Sequence, residues 1–316
     1  MKSLFLALCL ALACTSLPAQ SFTWQPAPRH TQIAIWPGKV PDAPPVSGPE
    51  TGGLTSKPDL VAGKPWVWVG NVTRPTMTVY APKTKSNGAA VIVFPGGGYE
   101  VLAMDLEGSE VCDWFTAQGV TCVLLKYRVP GTPSKLYPKT GAYPQSPMAL
   151  EDVQRTVGLV RHRAKEWKID PHKIGVIGFS AGGHLVAAIS NHFDRRLYAP
   201  VDAADKESCR PDFAIALYPG HLSLAANTMG LNPDIASHIT PQTPPTFLLQ
   251  NEDDHVDRVE DSLSYYFALK KAGVPVEMHL YAHGGHAFGM RPTKFPATHW
   301  PYLVKTWLQT IGMIAE

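Results

Sequence analysis

Short apolar runs alternate with longer amphipathic segments from about residue 66 to the C-terminus. The run "AAVIVFPGGG" at 89–98 is continuous, as expected for a strand buried on both faces of a sheet. Strands are predicted at 76–82, 89–98, 120–128, 173–180, 213–219, 245–251 and 275–281. Helical spacing predicts helices at 107–119, 148–167, 181–190, 257–273 and 298–312. This alternation indicates an α/β fold, with a mostly parallel central sheet and helices on both faces.

The first 21 residues have the pattern of a signal peptide. Lys2 precedes an apolar run from Leu4 to Ala13, and small residues follow it up to the expected cleavage region near Ala19 to Ser21. The run is too short to cross a bilayer, and no later segment is long and apolar enough, so no membrane span is predicted. We therefore expect a secreted or periplasmic protein. Cys14 after "ALA" leaves lipoprotein anchoring as an alternative.

Two further regions follow the leader. Residues 22–65 are rich in proline and glycine, which indicates an arm wrapping over the domain or a partly mobile leader. Residues 66–316 form the predicted catalytic domain. Segments 129–147 and 220–244 interrupt its alternation and are expected to border an active site.

Charge and cysteine content exclude some classes of protein. The net charge is +2 without a basic run, so nucleic acid is not an expected partner. Beyond the leader the chain has three cysteines, Cys112, Cys122 and Cys209. At most one disulfide can join them, and buried free thiols are the favoured interpretation.

The stretch "GFSAGG" places Ser180 between Gly178 and Gly182, after a predicted strand and before a predicted helix. Glycines two residues to either side allow a sharp turn that exposes the serine hydroxyl above the sheet. This context, more than the bare motif, predicts that Ser180 is a nucleophile.

The nucleophile needs a base, and three histidines are candidates. His184 is one helical turn beyond Ser180, but the serine hydroxyl projects away from the helix body, so a packing role is favoured. His286, in the glycine-rich loop after the strand at 275–281, can reach back over the sheet, and His283 is second choice. A metal cluster of His279, His283 and His286 has poor geometry, and no metal is predicted.

An acid that orients the histidine is expected after the strand at 245–251. The loop there carries four candidates, Glu252, Asp253, Asp254 and Asp257, and spacing alone does not separate the neighbours.

The oxyanion requires backbone N–H donors. The glycines Gly96, Gly97 and Gly98 follow another central strand and allow close approach of a substrate, and the N–H of Ala181 directly follows the nucleophile. Neither a Walker lysine nor a GxGxxG pattern is present, so no cofactor is predicted.

Together, "VFPGGGYEVLAMDLEG", "DPHKIGVIGFSAGGHLVA", "NEDDHVDRVEDSLSYYFALKKAGVPVEMHLY" and "GGHAFG" resemble the α/β-hydrolase superfamily. The likeness covers about residues 70–312. Within this superfamily, the chain resembles a branch of secreted esterases that includes xylan acetyl esterases, feruloyl-esterase-like proteins and hormone-sensitive-lipase-like enzymes. The resemblance implies Ser180 as nucleophile, His286 as base and Asp254 as acid, with Asp253 as runner-up. It implies an oxyanion hole of Gly97, Gly98 and Ala181.

Two positions depart from this family pattern. Pro95 stands where the lipase-like branch has histidine, and Asp257-Arg258 replaces the usual valine-proline after the acid. The proline at position 95 weakens the assignment to the lipase-like branch, but it does not affect the predicted catalytic mechanism.

The expected function is that of a secreted serine carboxylesterase acting on acetyl groups of xylan or related plant-polysaccharide fragments. Its expected partner is a small-molecule or oligosaccharide ester. Its sugar rings could stack on Tyr99 or Tyr218 if these are exposed, although core packing is the commoner fate of aromatic side chains. Alternatives are a feruloyl or general small-acyl esterase and a prolyl-oligopeptidase-type peptidase. A glycosidase would need two carboxylates on opposite sides of a groove, and the sequence singles out no such pair. A catalytically inactive binding module is disfavoured because every triad position is filled.

Overall fold

The computed structural model describes residues 23–43, 48–129, 141–224 and 229–315. The predicted signal peptide therefore lies outside the described residues. Strands are observed at β1 Gln32–Ala34, β2 Thr51–Leu54, β3 Val67–Gly70, β4 Thr76–Tyr80, β5 Ala90–Phe94, β6 Val101–Ala103, β7 Thr121–Lys126, β8 Ile174–Phe179, β9 Ala214–Leu217, β10 Thr246–Asn251 and β11 Val276–Tyr281. Helices are observed at α1 Glu110–Ala117, α2 Met148–His162, α3 Ala181–Asn191, α4 Pro233–Ala236, α5 Val259–Lys271 and α6 Trp300–Thr310.

Within these ranges, the large sheet has the strand order β1-β4-β7-β5-β8-β9-β10-β11. Its strands from β7 to β11 are parallel, and β4 is antiparallel to both β1 and β7. Every residue of β5, β7, β8, β9 and β10 is buried, which explains their continuous apolar sequences. The mostly parallel sheet predicted from the sequence is therefore confirmed.

Helices cover the sheet, as predicted. On one side α3 packs along β8 and β9, with α2 and α5 beside it; Asn191 of α3 donates a hydrogen bond to the Tyr265 hydroxyl of α5 at 3.1 Å. α1 and α6 meet through Trp114 and Trp300, whose ring centroids lie 6.2 Å apart. No helix in the described ranges is long and apolar enough to cross a membrane.

The proline- and glycine-rich arm is part of the packed structure where it is described. It supplies β1, the edge strand beside β4, and this strand was not predicted. Trp36 is buried and its indole N–H donates to Asp152 of α2 at 2.8 Å. Arg155 of α2 donates to the Ile35 carbonyl at 2.9 Å. These contacts hold the described part of the arm against the domain.

A second, antiparallel sheet of β2, β3 and β6 lies next to the glycine-rich turn after β5. The Ala103 N–H of β6 donates to the Gly96 carbonyl, and the Val101 N–H donates to the Gly97 carbonyl, both at 3.0 Å. The small sheet was not predicted. Its hydrogen bonds hold the glycine-rich turn in one conformation.

The cysteines differ from the expectation of free thiols. Cys112 of α1 and Cys122 of β7 form a disulfide, while Cys209 is free and buried. The pairing depends on α1 packing beside β7 in three dimensions, so the ten-residue separation carried no signal.

Candidate active site

Ser180 lies at the turn between β8 and α3, with φ +53° and ψ −120°. A Cβ atom added to Gly178 would lie 2.0 Å from the Gly182 carbonyl oxygen, and one added to Gly182 would lie 2.0 Å from the Phe94 oxygen. Both flanking positions therefore require glycine, which is why the motif has this spacing. The strained turn presents the serine hydroxyl at the carboxyl ends of the parallel strands.

The structure brings His286, and not His184, to the serine. His286 Nε2 lies 3.0 Å from Ser180 Oγ, and the loop after β11 carries it there. The predicted general base is thus within hydrogen-bond distance of the hydroxyl that it must deprotonate.

Asp254 orients this histidine. Its Oδ2 accepts a hydrogen bond from His286 Nδ1–H at 2.6 Å, and its side chain is fully buried. Its Oδ1 accepts the N–H groups of Val256 and Asp257 at 2.9 and 3.0 Å. Because the carboxylate is anchored by its own loop, it holds the imidazole in one tautomer and orientation.

Asp253, the other candidate acid, performs a different task. Its Oδ1 accepts the N–H groups of Gly284 and Gly285 at 2.9 and 2.8 Å, and His283 lies 3.3 Å from its Oδ2. Asp253 therefore shapes the loop that carries His286 and does not contact the catalytic imidazole through a hydrogen bond. The sequence could not separate it from Asp254, because only the loop conformation decides which carboxylate faces the histidine.

His184 is a buried packing residue. It is 1% exposed, and its Nδ1 shares a 2.7 Å hydrogen bond with the Tyr99 hydroxyl. Burial, helped by the neighbouring His221, lowers the pKa of His184 to about 3. The side chain consequently stays neutral and ties α3 to the glycine-rich turn.

The three histidines considered as metal ligands have separate partners. His279 bonds Glu277 at 2.8 Å, His283 faces Asp253, and His286 bonds Ser180 and Asp254. They do not converge on a common point. Among the described residues, no group of three or more histidine, cysteine or acidic side chains is arranged to hold a metal ion.

The glycine turn that carries two of the predicted oxyanion donors begins beside the nucleophile, and the third, Ala181, directly follows it. β5 pairs with β8 so that Phe94 is opposite Gly178, and this register brings the glycine turn to the serine. A Cβ added to Gly96 would lie 3.0 Å from the Ser180 Cβ. Gly97 and Gly98 have φ of +130° and +65°, and space around Gly98 is open. Ala181 is the first residue of α3, where backbone N–H groups lack intrahelical partners.

A buried carboxyl group that the sequence analysis missed supports this turn. Glu107 is 2% exposed; it accepts the Gly96 N–H at 2.8 Å and the Tyr218 hydroxyl proton at 2.8 Å. The Tyr218 hydroxyl accepts the Gly289 N–H at 3.1 Å, so the oxyanion turn and the histidine loop are joined. Burial raises the pKa of Glu107. The stretch "AMDLEGSEV" contains two other acids, so the local sequence gave no sign that Glu107 would be buried.

Tyr99 and Tyr218 pack in the core, the commoner fate of aromatic side chains, and are not exposed for stacking on sugar rings. Tyr99 is 1% exposed and Tyr218 is fully buried. Both rings lie in the core beneath the site, and their hydroxyl groups position His184 and Glu107. The apolar bodies of the rings explain this burial, since both polar tips have partners.

Asp257 brings a second carboxylate to the nucleophile. Its Oδ2 accepts the Ser180 hydroxyl proton at 2.9 Å and lies 3.6 Å from His286 Nε2. The sequence placed Asp257 among four candidate acids and showed that it departs from the family pattern. It gave no sign that this side chain reaches the serine.

Negative charge around His286 decides its protonation. Burial opposes the imidazolium, but the hydrogen bond and charge of Asp254, with the charges of Asp257 and Glu107, outweigh burial and raise the pKa of His286. A general base must be neutral, and the raised pKa keeps the imidazolium populated to higher pH.

We therefore expect kcat/KM for a neutral ester to fall with decreasing pH through a midpoint above 6.5, the ordinary pKa of the imidazole. Asp257→Asn removes one of the charges that raise this pKa and is expected to move the midpoint to lower pH. Glu252→Gln is the matched control, because Glu252 is exposed in the same loop. A midpoint that shifts upward in Asp257→Asn would contradict this electrostatic account.

Comparison with known proteins identifies the family of the chain. Residues 77–228 match the BD-FAE family model. The chain is 32% identical to an acetyl ester-xyloside bifunctional hydrolase from Caldicellulosiruptor lactoaceticus, whose crystal structure superposes with a TM-score of 0.69; the match covers 90% of this chain and 97% of that one.

Two longer relatives also match. An acetylxylan esterase of Xylanibacter ruminicola is 29% identical over 235 residues, which are 67% of this chain and 43% of the relative. Endo-1,4-beta-xylanase B of Butyrivibrio fibrisolvens is 28% identical over 236 residues, 70% of this chain and 36% of the relative. The chain thus spans less than half the length of these two proteins. The near-complete match to the Caldicellulosiruptor enzyme, the BD-FAE match and the sheet topology show that the chain belongs to the α/β-hydrolase superfamily, in its esterase branch.

Proposed function

We propose that this protein is a secreted serine carboxylesterase that removes acetyl groups from xylan or related plant-polysaccharide fragments. The observation that carries the proposal is the alignment of Ser180, His286 and Asp254, with Ser180 Oγ 3.0 Å from His286 Nε2 and His286 Nδ1 2.6 Å from Asp254 Oδ2. The relatives named acetylxylan esterase and acetyl ester-xyloside hydrolase support acetylated xylan as the substrate.

The geometry supports a two-step mechanism. His286 Nε2 takes the proton of Ser180 as Oγ bonds to the ester carbonyl carbon, and the oxyanion is stabilised by the N–H groups of Gly97, Gly98 and Ala181. His286 then gives its proton to the leaving sugar oxygen as the C–O bond breaks, which leaves an acetyl-serine. Water deprotonated by His286 attacks this ester, acetate departs, and the proton returns to Ser180.

A polar cavity near the turn that carries Ser180 supports a sugar substrate. It has a volume of about 250 Å³ and is lined by side chains that include Tyr143, His184, His221, Ser223 and Asn232. Sites for lipid chains are predominantly apolar, whereas hydroxyl-rich substrates require such hydrogen-bonding groups. The segments that supply most of this lining, 142–145 and 221–224, belong to the loops expected to border the site.

Secretion is supported by two independent features. The leader pattern at residues 1–21 is that of a signal peptide. The Cys112–Cys122 disulfide is of a kind that persists in oxidising compartments. N-terminal sequencing of the exported protein should find a start near Ala19 to Ser21; retention of the leader in a cytoplasmic protein would contradict export, and a lipidated Cys14 would indicate anchoring instead.

A panel of acylated xylan fragments tests the activity and the acyl group together. Acetate release from acetylated xylooligosaccharides should be faster than ferulate release from feruloylated fragments of the same length, and Ser180→Ala should release neither. Preferential ferulate release would favour the feruloyl-esterase alternative. Cleavage of a proline-containing peptide without ester hydrolysis would favour the peptidase alternative.

A further inference from the structure

The proposed mechanism requires only one carboxylate, yet two lie beside the catalytic pair. Asp254 bonds His286 at Nδ1, on the side of the ring away from the serine. Asp257 approaches from the other side, 2.9 Å from Ser180 Oγ and 3.6 Å from His286 Nε2. Asp257 therefore has a position on the reacting side of the site but no role in the triad.

The fold holds the Asp257 carboxylate in this position. Its backbone N–H donates to Asp254 Oδ1 at 3.0 Å, and its carbonyl accepts from the Gln250 side chain at 2.7 Å. A Cβ added to Gly220 would lie 2.1 Å from Asp257 Oδ1, so the facing loop leaves room for the carboxylate only because residue 220 is glycine. The side chain is 12% exposed.

Catalysis removes the hydrogen bond that Asp257 has in the free enzyme. Ser180 has a single hydroxyl proton, which Asp257 accepts here and which His286 must take during acylation. Once the hydroxyl turns to His286, the buried carboxylate has lost its donor, which is unfavourable unless another donor replaces it. The other groups whose charges act on Asp257 are His286, His221 and Asp254.

The leaving group of the substrate must approach His286 on the same side of the imidazole as Asp257. His286 Nε2 must lie within hydrogen-bond distance of the leaving oxygen to protonate it. Asp257 Oδ2 is 3.6 Å from that nitrogen, so a group on a carbon atom next to the leaving oxygen can come within reach of the carboxylate. A hydroxyl group on the neighbouring carbon can donate to Asp257, whereas a simple alkyl or aryl leaving group brings no donor.

We propose that Asp257 is a specificity-determining residue that accepts a hydrogen bond from the hydroxyl next to the scissile ester, so that the enzyme favours monoesters of vicinal diols. This inference rests on the proposed esterase function and narrows its substrates to sugar esters with a free neighbouring hydroxyl. No proton is transferred to Asp257 in this role; it binds and orients the leaving group.

A matched pair of small esters tests the proposal. Cyclohexyl acetate and trans-2-hydroxycyclohexyl acetate differ by one neighbouring hydroxyl, and the ratio of their kcat/KM values isolates its contribution. Each enzyme is assayed at its own pH optimum, because a charge change beside His286 alters its protonation. We expect the hydroxylated ester to be favoured by the wild type, and Asp257→Ala to lower that preference at least about tenfold, as for a lost hydrogen bond to a charged group.

Two further variants sharpen the result. Asp257→Asn keeps an acceptor oxygen and should retain part of the preference, while Glu252→Ala removes an exposed charge from the same loop and should leave the ratio unchanged. An unchanged ratio in Asp257→Ala, that is, equal losses of kcat/KM on both esters, overturns the proposal, because it would show that Asp257 acts only through the serine or the histidine. Failure of the wild type to hydrolyse either ester would instead overturn the proposed function.

Discussion

Replacing Ser180 with alanine is expected to lower kcat for p-nitrophenyl acetate by about 10⁴- to 10⁶-fold, the range found when a triad nucleophile is removed. The physical reason is that no other hydroxyl group can form the acyl-enzyme at the position that His286 and the glycine turn serve. Single-turnover release of p-nitrophenol measures the change, since it reports acyl-enzyme formation directly.

The variant should remain folded. Alanine tolerates the backbone of residue 180 no worse than serine, whose φ is +53°, and the side chain is small and 8% exposed. Circular dichroism and thermal unfolding should match the wild type. A folded Ser180→Ala protein with undiminished single-turnover chemistry would show that another residue is the nucleophile.

The same substitution at two histidines separates the two candidate bases. His286→Asn is expected to lower kcat/KM by at least about 10³-fold, because the general base and the proton donor to the leaving group are lost together. His184→Asn should reduce it by less than about tenfold, because asparagine can keep a hydrogen bond with Tyr99 and no proton transfer depends on residue 184.

The two histidine variants should rank in opposite order for loss of stability and for loss of activity. His184 is fully buried in α3, so His184→Asn is expected to lower the free energy of unfolding more than His286→Asn does, since the latter lies on a loop. Thermal unfolding of both variants measures this. If folded His184→Asn lost activity as completely as His286→Asn, the assignment of the base would be wrong.

The elements that the sequence predicted have a clear pattern of apolar and polar residues within their own segments. β5 and β8 are apolar at every position, and α2 has a strong amphipathic period, so each has a clear local pattern. β1 and β6 have three residues each, and they exist because they pair with β4 and β3. The Cys112–Cys122 bond likewise depends on packing between α1 and β7. Such features have no local signal.

At the site, the sequence identified residues whose role depends on spacing within a motif. Ser180 and the glycines around it belong to this group, and His286 was found from its place after the last strand. The roles of Glu107 and Asp257 arise from side chains that approach from distant segments. Glu107 meets Tyr218 across 111 positions and Asp257 meets Ser180 across 77, so neither contact could be deduced from the local pattern.

Covalent labelling tests most directly the claim that Ser180 is activated by a histidine 106 positions downstream. The wild type, His184→Asn and His286→Asn proteins are each reacted with a fluorophosphonate, and the modified peptide is mapped by mass spectrometry over time. We predict one rapid adduct, on Ser180, in the wild type and in His184→Asn, and a much slower reaction in His286→Asn. An adduct on a different serine, or labelling that depends on His184 and not on His286, would contradict the account.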